Sequence, residues 1–171
     1  MSRVGDFYST SGGNKGGFRF ETRGLGEAMQ ALEACTNIKG IQKLALYQGA
    51  DAVADEMRRQ VSALRTSDHY VSGKKRYCYP EDKEALENAL GIAKFKESAD
   101  GTNTKVGFKD YFIGRNGESF PLPLIANSIN AGTSFMYKQP FIQLTLNNAK
   151  TEAYKRMESV FDAEFEKLLK K

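Results

Sequence analysis

The chain has no tryptophan, one histidine, two cysteines and four prolines. A sole histidine, His69, leaves a zinc site short of ligands, because Cys35 and Cys78 lack the paired spacing such sites use. Two cysteines so far apart, in a sequence without secretory features, read as reduced, packed thiols rather than a bridge. No apolar run approaches the roughly 18 residues needed to cross a bilayer. Met1 to Ser11 has no charged start followed by an apolar block, so neither a membrane span nor a signal peptide is expected. A soluble, non-secreted chain without repeats is the expectation.

What is present is a mixed, mildly basic composition. The 171 residues carry 25 Lys and Arg against 21 Asp and Glu, a formal charge of +4. That is weaker than the clustered basic footprint of a dedicated nucleic-acid binder. Apolar residues make up 40%, enough for a core, while 16 glycines predict long loops beside it.

Ser9 to Gly17 is a Gly/Ser tract that cannot offset its ordering entropy by burial, so residues 1–17 read as a flexible N-terminal arm and 18–171 as one domain. Phe18 and Phe20 alternate with Arg19 and Glu21 as a short strand. Gly24 to Cys35 reads as a short helix. The cleanest periodicity follows: Leu46, Ala50, Val53, Met57, Val61 and Leu64 share one helical face, with Gln48, Asp51, Asp55, Arg59 and Ser62 opposite, Asp55 and Arg59 forming an i,i+4 pair.

Arg65 to Lys83 breaks the period and reads as a long excursion, with a helical turn or two near Ala85 to Leu90. Ile92 to Ser98 and Thr104 to Lys109 flank an Asp-Gly pair and predict a hairpin that points Val106 and Phe108 inward, although the first strand alternates poorly. Asp110 to Phe120 reads as a loop turning at Asn116-Gly117. Leu122 to Ala131 reads as a helix stopped by Gly132. Pro140 starts a terminal helix whose apolar stripe is Ala149, Ala153, Met157, Val160, Phe161 and Leu168, interrupted by Lys150 and Glu164. The fold class expected is α+β: long amphipathic helices on a small antiparallel sheet, with long loops.

Reactive constellations are poorly supported. Gly24-Leu25-Gly26 has Met29 where a dinucleotide fingerprint needs a third small residue, and the lysine among Gly12 to Gly17 is not followed by Ser or Thr as a phosphate loop requires. Cys78 with His69 lacks an orienting third group, and the acidic residues fall on loops or solvated helix faces. No catalytic, cofactor or metal residue is assigned. Lys74, Lys75, Arg76, Tyr77 and Tyr79 form a basic-aromatic cluster of the kind found at single-strand binding surfaces; with no second patch to extend the track, a rim contact with another protein or a plain solvated loop is the favoured reading.

Thr104-Lys105-Val106-Gly107-Phe108, Leu124-Ile125-Ala126-Asn127 with Ile129, Gly132-Thr133 and Pro140-Phe141-Ile142 occur in the order of family blocks. In this order the chain resembles the tail-completion, or head-tail joining, proteins of long-tailed bacteriophages, the family that includes minor tail protein Z. The resemblance covers roughly residues 20 to 170, and departs where Ser72-Gly73 is separated from Leu86 to Ile92 by the basic-aromatic stretch.

It implies a structural virion protein rather than an enzyme, without cofactors. Such a protein forms a ring, expected to be a hexamer, at the neck of the particle and touches neighbouring neck and tail proteins close to the genomic DNA. Assembly would begin in the host cytoplasm. The candidate contacts are Lys74, Lys75, Arg76, Tyr77, Tyr79, Tyr111, Phe112, Arg115, Lys150 and Glu164. Another neck protein, an adaptor or tail terminator, and a nucleic-acid-binding accessory protein are the alternatives.

Overall fold

Small residues at helical spacing decide the centre of the molecule. In a computed structural model, residues 8–9, 17–21, 38–69, 72–98 and 101–169 are described. The expected Gly24 to Cys35 helix and most of the arm lie outside them. Of the arm, Tyr8–Ser9 forms strand β1 and Gly17 opens strand β2, Gly17–Glu21.

Helix α1, Ile38–Ser62, carries the predicted apolar face, and Leu46, Ala50, Val53, Met57 and Val61 are all buried, as is Leu64 just beyond it. Opposite it Gln48, Asp55, Arg59 and Ser62 are exposed and Asp51 half-buried, as expected, but the buried surface is wider than the predicted face. Ala45, Ala52, Ala54 and Glu56 are buried as well, because α1 lies between the sheet and the terminal helix α4, Phe141–Leu169. Asp55 pairs with Arg58 at 2.8 Å, not with Arg59, which binds Glu56.

The α1–α4 pair is antiparallel, with Glu56 opposite Asn148, Asp51 and Asp55 opposite Arg156, and Gly49 opposite Met157. A Cβ on Gly49 would stand 2.7 Å from Met157 Sδ but 3.6 Å from the Ala153 carbonyl oxygen, so the bare backbone makes room for the Met157 side chain. Phe141 anchors the start of α4 in the core, edge-on to Phe108. Asn130 Oδ1 accepts the Ile142 N–H there, satisfying one of the free donors of the first turn.

The five-stranded antiparallel sheet is built around β5, Gly101–Phe108, which pairs with β2 on one side and with β3, Leu90–Ile92, and β4, Lys96–Ser98, on the other. Val106 and Phe108 are buried as expected. Ile92 pairs with Val106 and Lys96 with Asn103, four steps along one strand against three along the other, so residues 93–95 contain one extra residue. Such a bulge moves alternate side chains to the opposite face. Leu90 and Ile92 pack on the core before it, and after it the odd-numbered Phe95 packs there as well, its ring 4.0 Å from that of Tyr47, with Glu97 meeting Lys43 at 2.7 Å. The poor alternation in the sequence is this bulge.

Two expected loops are more regular than their sequences suggest. Helix α2 spans Pro80–Ala89, so residues 80–83 belong to it rather than to the excursion, and Leu90 already starts β3. Asp110 to Phe120 is mostly a hairpin, β6, Tyr111–Ile113, against β7, Ser119–Pro121. It turns at Asn116-Gly117, where Gly117 has φ +79° and Asn116 Oδ1 accepts the Glu118 N–H. Helix α3, Leu122–Ala131, ends at Gly132 as expected: its φ is +75°, and a Cβ there would stand 2.9 Å from the Lys138 backbone nitrogen.

Glu56 is the buried charge of the α1–α4 seam. Its carboxylate accepts from Asn148 Nδ2 and Gln60 Nε2, each at 2.8 Å, and pairs with Arg59 Nη2 at 2.8 Å. Burial alone would raise its pKa, but the two amides and the guanidinium outweigh it and hold the carboxyl below its ordinary value. A depressed folded pKa means the contribution is complete above the ordinary glutamate range and lost as pH falls through the folded value. Glu56→Gln is expected to cost about 1–3 kcal/mol at neutral pH. Chemical denaturation should find that difference shrinking below the ordinary pKa, about 4.3; a pH-independent difference would contradict the assignment.

Candidate functional site

The excursion after α1 is held in place by backbone rather than by a helix. Ser67 N–H donates to Cys78 O at 3.0 Å, while Arg76 N–H donates to Phe135 O and Arg76 O accepts from Tyr137 N–H, stitching residues 76–78 between 66–67 and 135–137. Gln139 completes the seal by reading both backbone groups of Arg65, Oε1 accepting at 2.8 Å and Nε2 donating at 3.1 Å.

This brings Arg76 and Tyr79 to the edge of a cleft of about 450 Å³, closed by the β6–β7 hairpin, α3 and the segment after Gly132. Tyr79 precedes Pro80 at the start of α2, and its N–H is capped by Asp82 Oδ2 at 3.1 Å. Two guanidinium carbons lie near its ring centroid, that of Arg76 at 3.7 Å and that of Arg115 at 4.1 Å. Two guanidinium groups this close to one centroid cannot share a face, so the ring is sandwiched between them.

Arg115 reaches the ring from the hairpin turn and grips both oxygens of Glu81, at 2.7 and 2.9 Å, and the Asp68 carbonyl at 3.1 Å. Glu81 is held below its ordinary pKa first by its own backbone N–H in the first helical turn and then by Arg115. Asp82 moves the other way, raised by burial. The Glu81–Arg115 fork ties hairpin to helix across solvent, where its value is positional more than energetic.

Of the sequence candidates, Arg76, Tyr79, Phe112 and Arg115 converge on this cleft. Tyr77 lies beside it, its ring 5.0 Å from that of Tyr137, with Arg65 donating to its hydroxyl. Lys74 and Lys75 are exposed on the turn at Gly73. Tyr111 projects from the hairpin, 72% exposed. Lys150 and Glu164 are not brought to the cleft: Lys150 is exposed on α4, and Glu164 is partly covered and paired with Lys167 at 2.6 Å.

Sequence reading missed Glu81, Asp82, Phe135 and Tyr137. The alternating aromatics after Gly132-Thr133 were the available signal for the last two.

The chemistry of the remaining candidates is plain. Cys78 is buried, its Sγ donating to Arg65 O at 3.3 Å, and burial together with the Asp82 charge pushes the thiol up to about 11. It is therefore a neutral packing group at physiological pH. His69 is exposed and makes no hydrogen bond among the described residues. No group of three or more His, Cys, Asp or Glu among the described residues could hold a metal ion, and no helix there is long and apolar enough to cross a membrane.

Exposed apolar side chains surround the cleft instead: Phe135 is 50% exposed, Tyr137 45% and Ile113 69%. Comparison with known proteins returns no match, whether to family models, curated proteins or solved structures.

A raised thiol pKa predicts slow chemistry at Cys78. In a Cys35→Ser background at pH 8, an aromatic disulfide reagent should modify the native protein at least about 100-fold more slowly than the urea-unfolded chain, whose thiol titrates near 8.5. Comparable rates would show that Cys78 is neither buried nor protonated as described.

Proposed function

We propose that this chain is a structural assembly protein acting through protein contacts, specifically a tail-completion or head-tail joining component of a long-tailed bacteriophage. The observation that carries the assembly reading is the collar of exposed Phe135, Tyr137, Tyr111 and Ile113, with Lys74, Lys75 and Lys138 making no ion pair among the described residues. A cluster of large apolar and aromatic side chains left in water characterises interfaces rather than bare monomer surfaces, with charge confined to the rim. The phage assignment rests on the sequence resemblance. Its Gly132-Thr133 and Pro140-Phe141-Ile142 blocks fall where α3 is stopped and where α4 begins.

In this reading the protein has no catalytic residue and no cofactor. It forms a ring, taken as a hexamer, at the head-proximal end of the tail. Its neighbours are neck and tail proteins, and it is made in the host cytoplasm before joining the virion.

A nucleic-acid-binding role is the second reading. A base needs a free ring face to stack on; Tyr79, covered on both faces by guanidinium groups, and Tyr77, resting against Tyr137, do not offer one, whereas the exposed Phe135 and Tyr111 do. An adaptor or a tail terminator would share the same surface and differ only in position along the neck.

Electron microscopy of a lysate from the source phage or prophage with this gene deleted tests the proposal. Filled heads beside finished, unattached tails are the expected result. Normal virions, or the loss of heads or tails themselves, would reject it.

A further inference from the structure

Both ends of the α1–α4 pair carry charge that no described residue pairs with. At the end where α1 finishes and α4 begins, Lys74, Lys75 and Lys138 are exposed and make no ion pair among the described residues. They flank Phe135 and Tyr137, each about half exposed. The contacts of Gln139 and Tyr77 with Arg65 fix this shelf to the end of α1.

Because α4 runs antiparallel to α1, its last turns lie at the far end, roughly 30 Å away at 1.5 Å per residue. There Glu158 and Asp162, four residues apart, are exposed on one face and also unpaired among the described residues. Like charges at this spacing repel and weaken a helix by a few tenths of a kcal/mol. An opposite charge from outside would relieve both ends at once.

We propose that the shelf takes the Glu158 and Asp162 face of α4 from a second copy of this chain. This inference rests on the assembly reading above and gives it a geometry. Donor and acceptor surfaces are different patches at opposite ends, so the contact is heterologous and head-to-tail, the type that generates a closed ring or a filament. Aromatic side chains at the shelf supply the buried area, and the lysines set which face of α4 is accepted and in which direction it lies.

The test is a charge swap on the full chain, read by native mass spectrometry and sedimentation at low salt. Wild type should self-associate, and raising the salt should weaken the association because the pairs are at the surface. One variant carries Lys74→Glu with Lys75→Glu, the other Glu158→Lys with Asp162→Lys. Each alone should associate roughly tenfold or more weakly, the loss expected when close interfacial pairs become repulsive. Mixed together they should recover assembly, because every junction then pairs opposite charges again.

Wild type that stays monomeric, single variants that assemble normally, or a mixture that fails to recover would each overturn the proposal. Circular dichroism of each variant confirms that it remains folded. The gene-deletion phenotype is scored separately, so a joining role supported there with a failed swap would reject only this contact.

Discussion

Everything else in the described chain depends on how closely α4 can lie against α1. The Met157 side chain fills the space beside Gly49, and buried Ala50, Ala149 and Ala153 keep the rest of the seam narrow. A seam this tight has little room for error, because protein interiors are packed near crystal density and cannot absorb a misfit. Glu56 adds register to the packing: its carboxylate is fully occupied only when Asn148 stands opposite. Most of the stabilisation comes from the apolar contacts, and the polar clamp selects one sliding position among several that the small residues would allow.

From the seam, rigidity passes outward to the candidate surface through few residues. Phe141 plants the first turn of α4 against Phe108 of the sheet, and Asn130 caps that turn from α3. Gln139, one residue before Pro140, holds the Arg65 backbone, which places the stitched segment 76–78 beside it. The hairpin is attached differently, by Phe112 packed against the core, by the Glu81–Arg115 pair and by the sandwich around Tyr79. The surface therefore has a firm half, continuous with the helices, and a half held by a half-buried side chain and solvent-exposed charge. The proposed assembly role has use for both, since firm elements set direction while tethered ones adapt to a neighbour.

The parts of this fold that were legible in the sequence are those governed by local rules. Leu46 to Leu64 announced a buried helix face, Gly132 announced a helix stop, and Val106 and Phe108 announced an inward strand face. Each follows from periodicity or from backbone conformation at a single residue. What escaped depends on partners distant in sequence. Glu56 looks like any solvated glutamate until α4 covers it. The bulge at 93–95 hides the alternation of β3 and β4, and single bridges such as Arg76 to Met136 leave no pattern at all. The candidate surface was half legible for the same reason: the basic-aromatic cluster is contiguous, but the hairpin and the aromatics after Gly132 join it only in the folded chain.

Native-state hydrogen exchange followed by mass spectrometry tests the dependence on the seam most directly. Amides of α1 from Ala50 to Val61 and of α4 from Thr145 to Met157 should exchange slowest and together, through a single global opening. Those of the β6–β7 hairpin should exchange first, through local release of the Arg115 tether. If α1 and α4 open independently, or if the hairpin is as protected as the seam, the seam is not what the structure depends on.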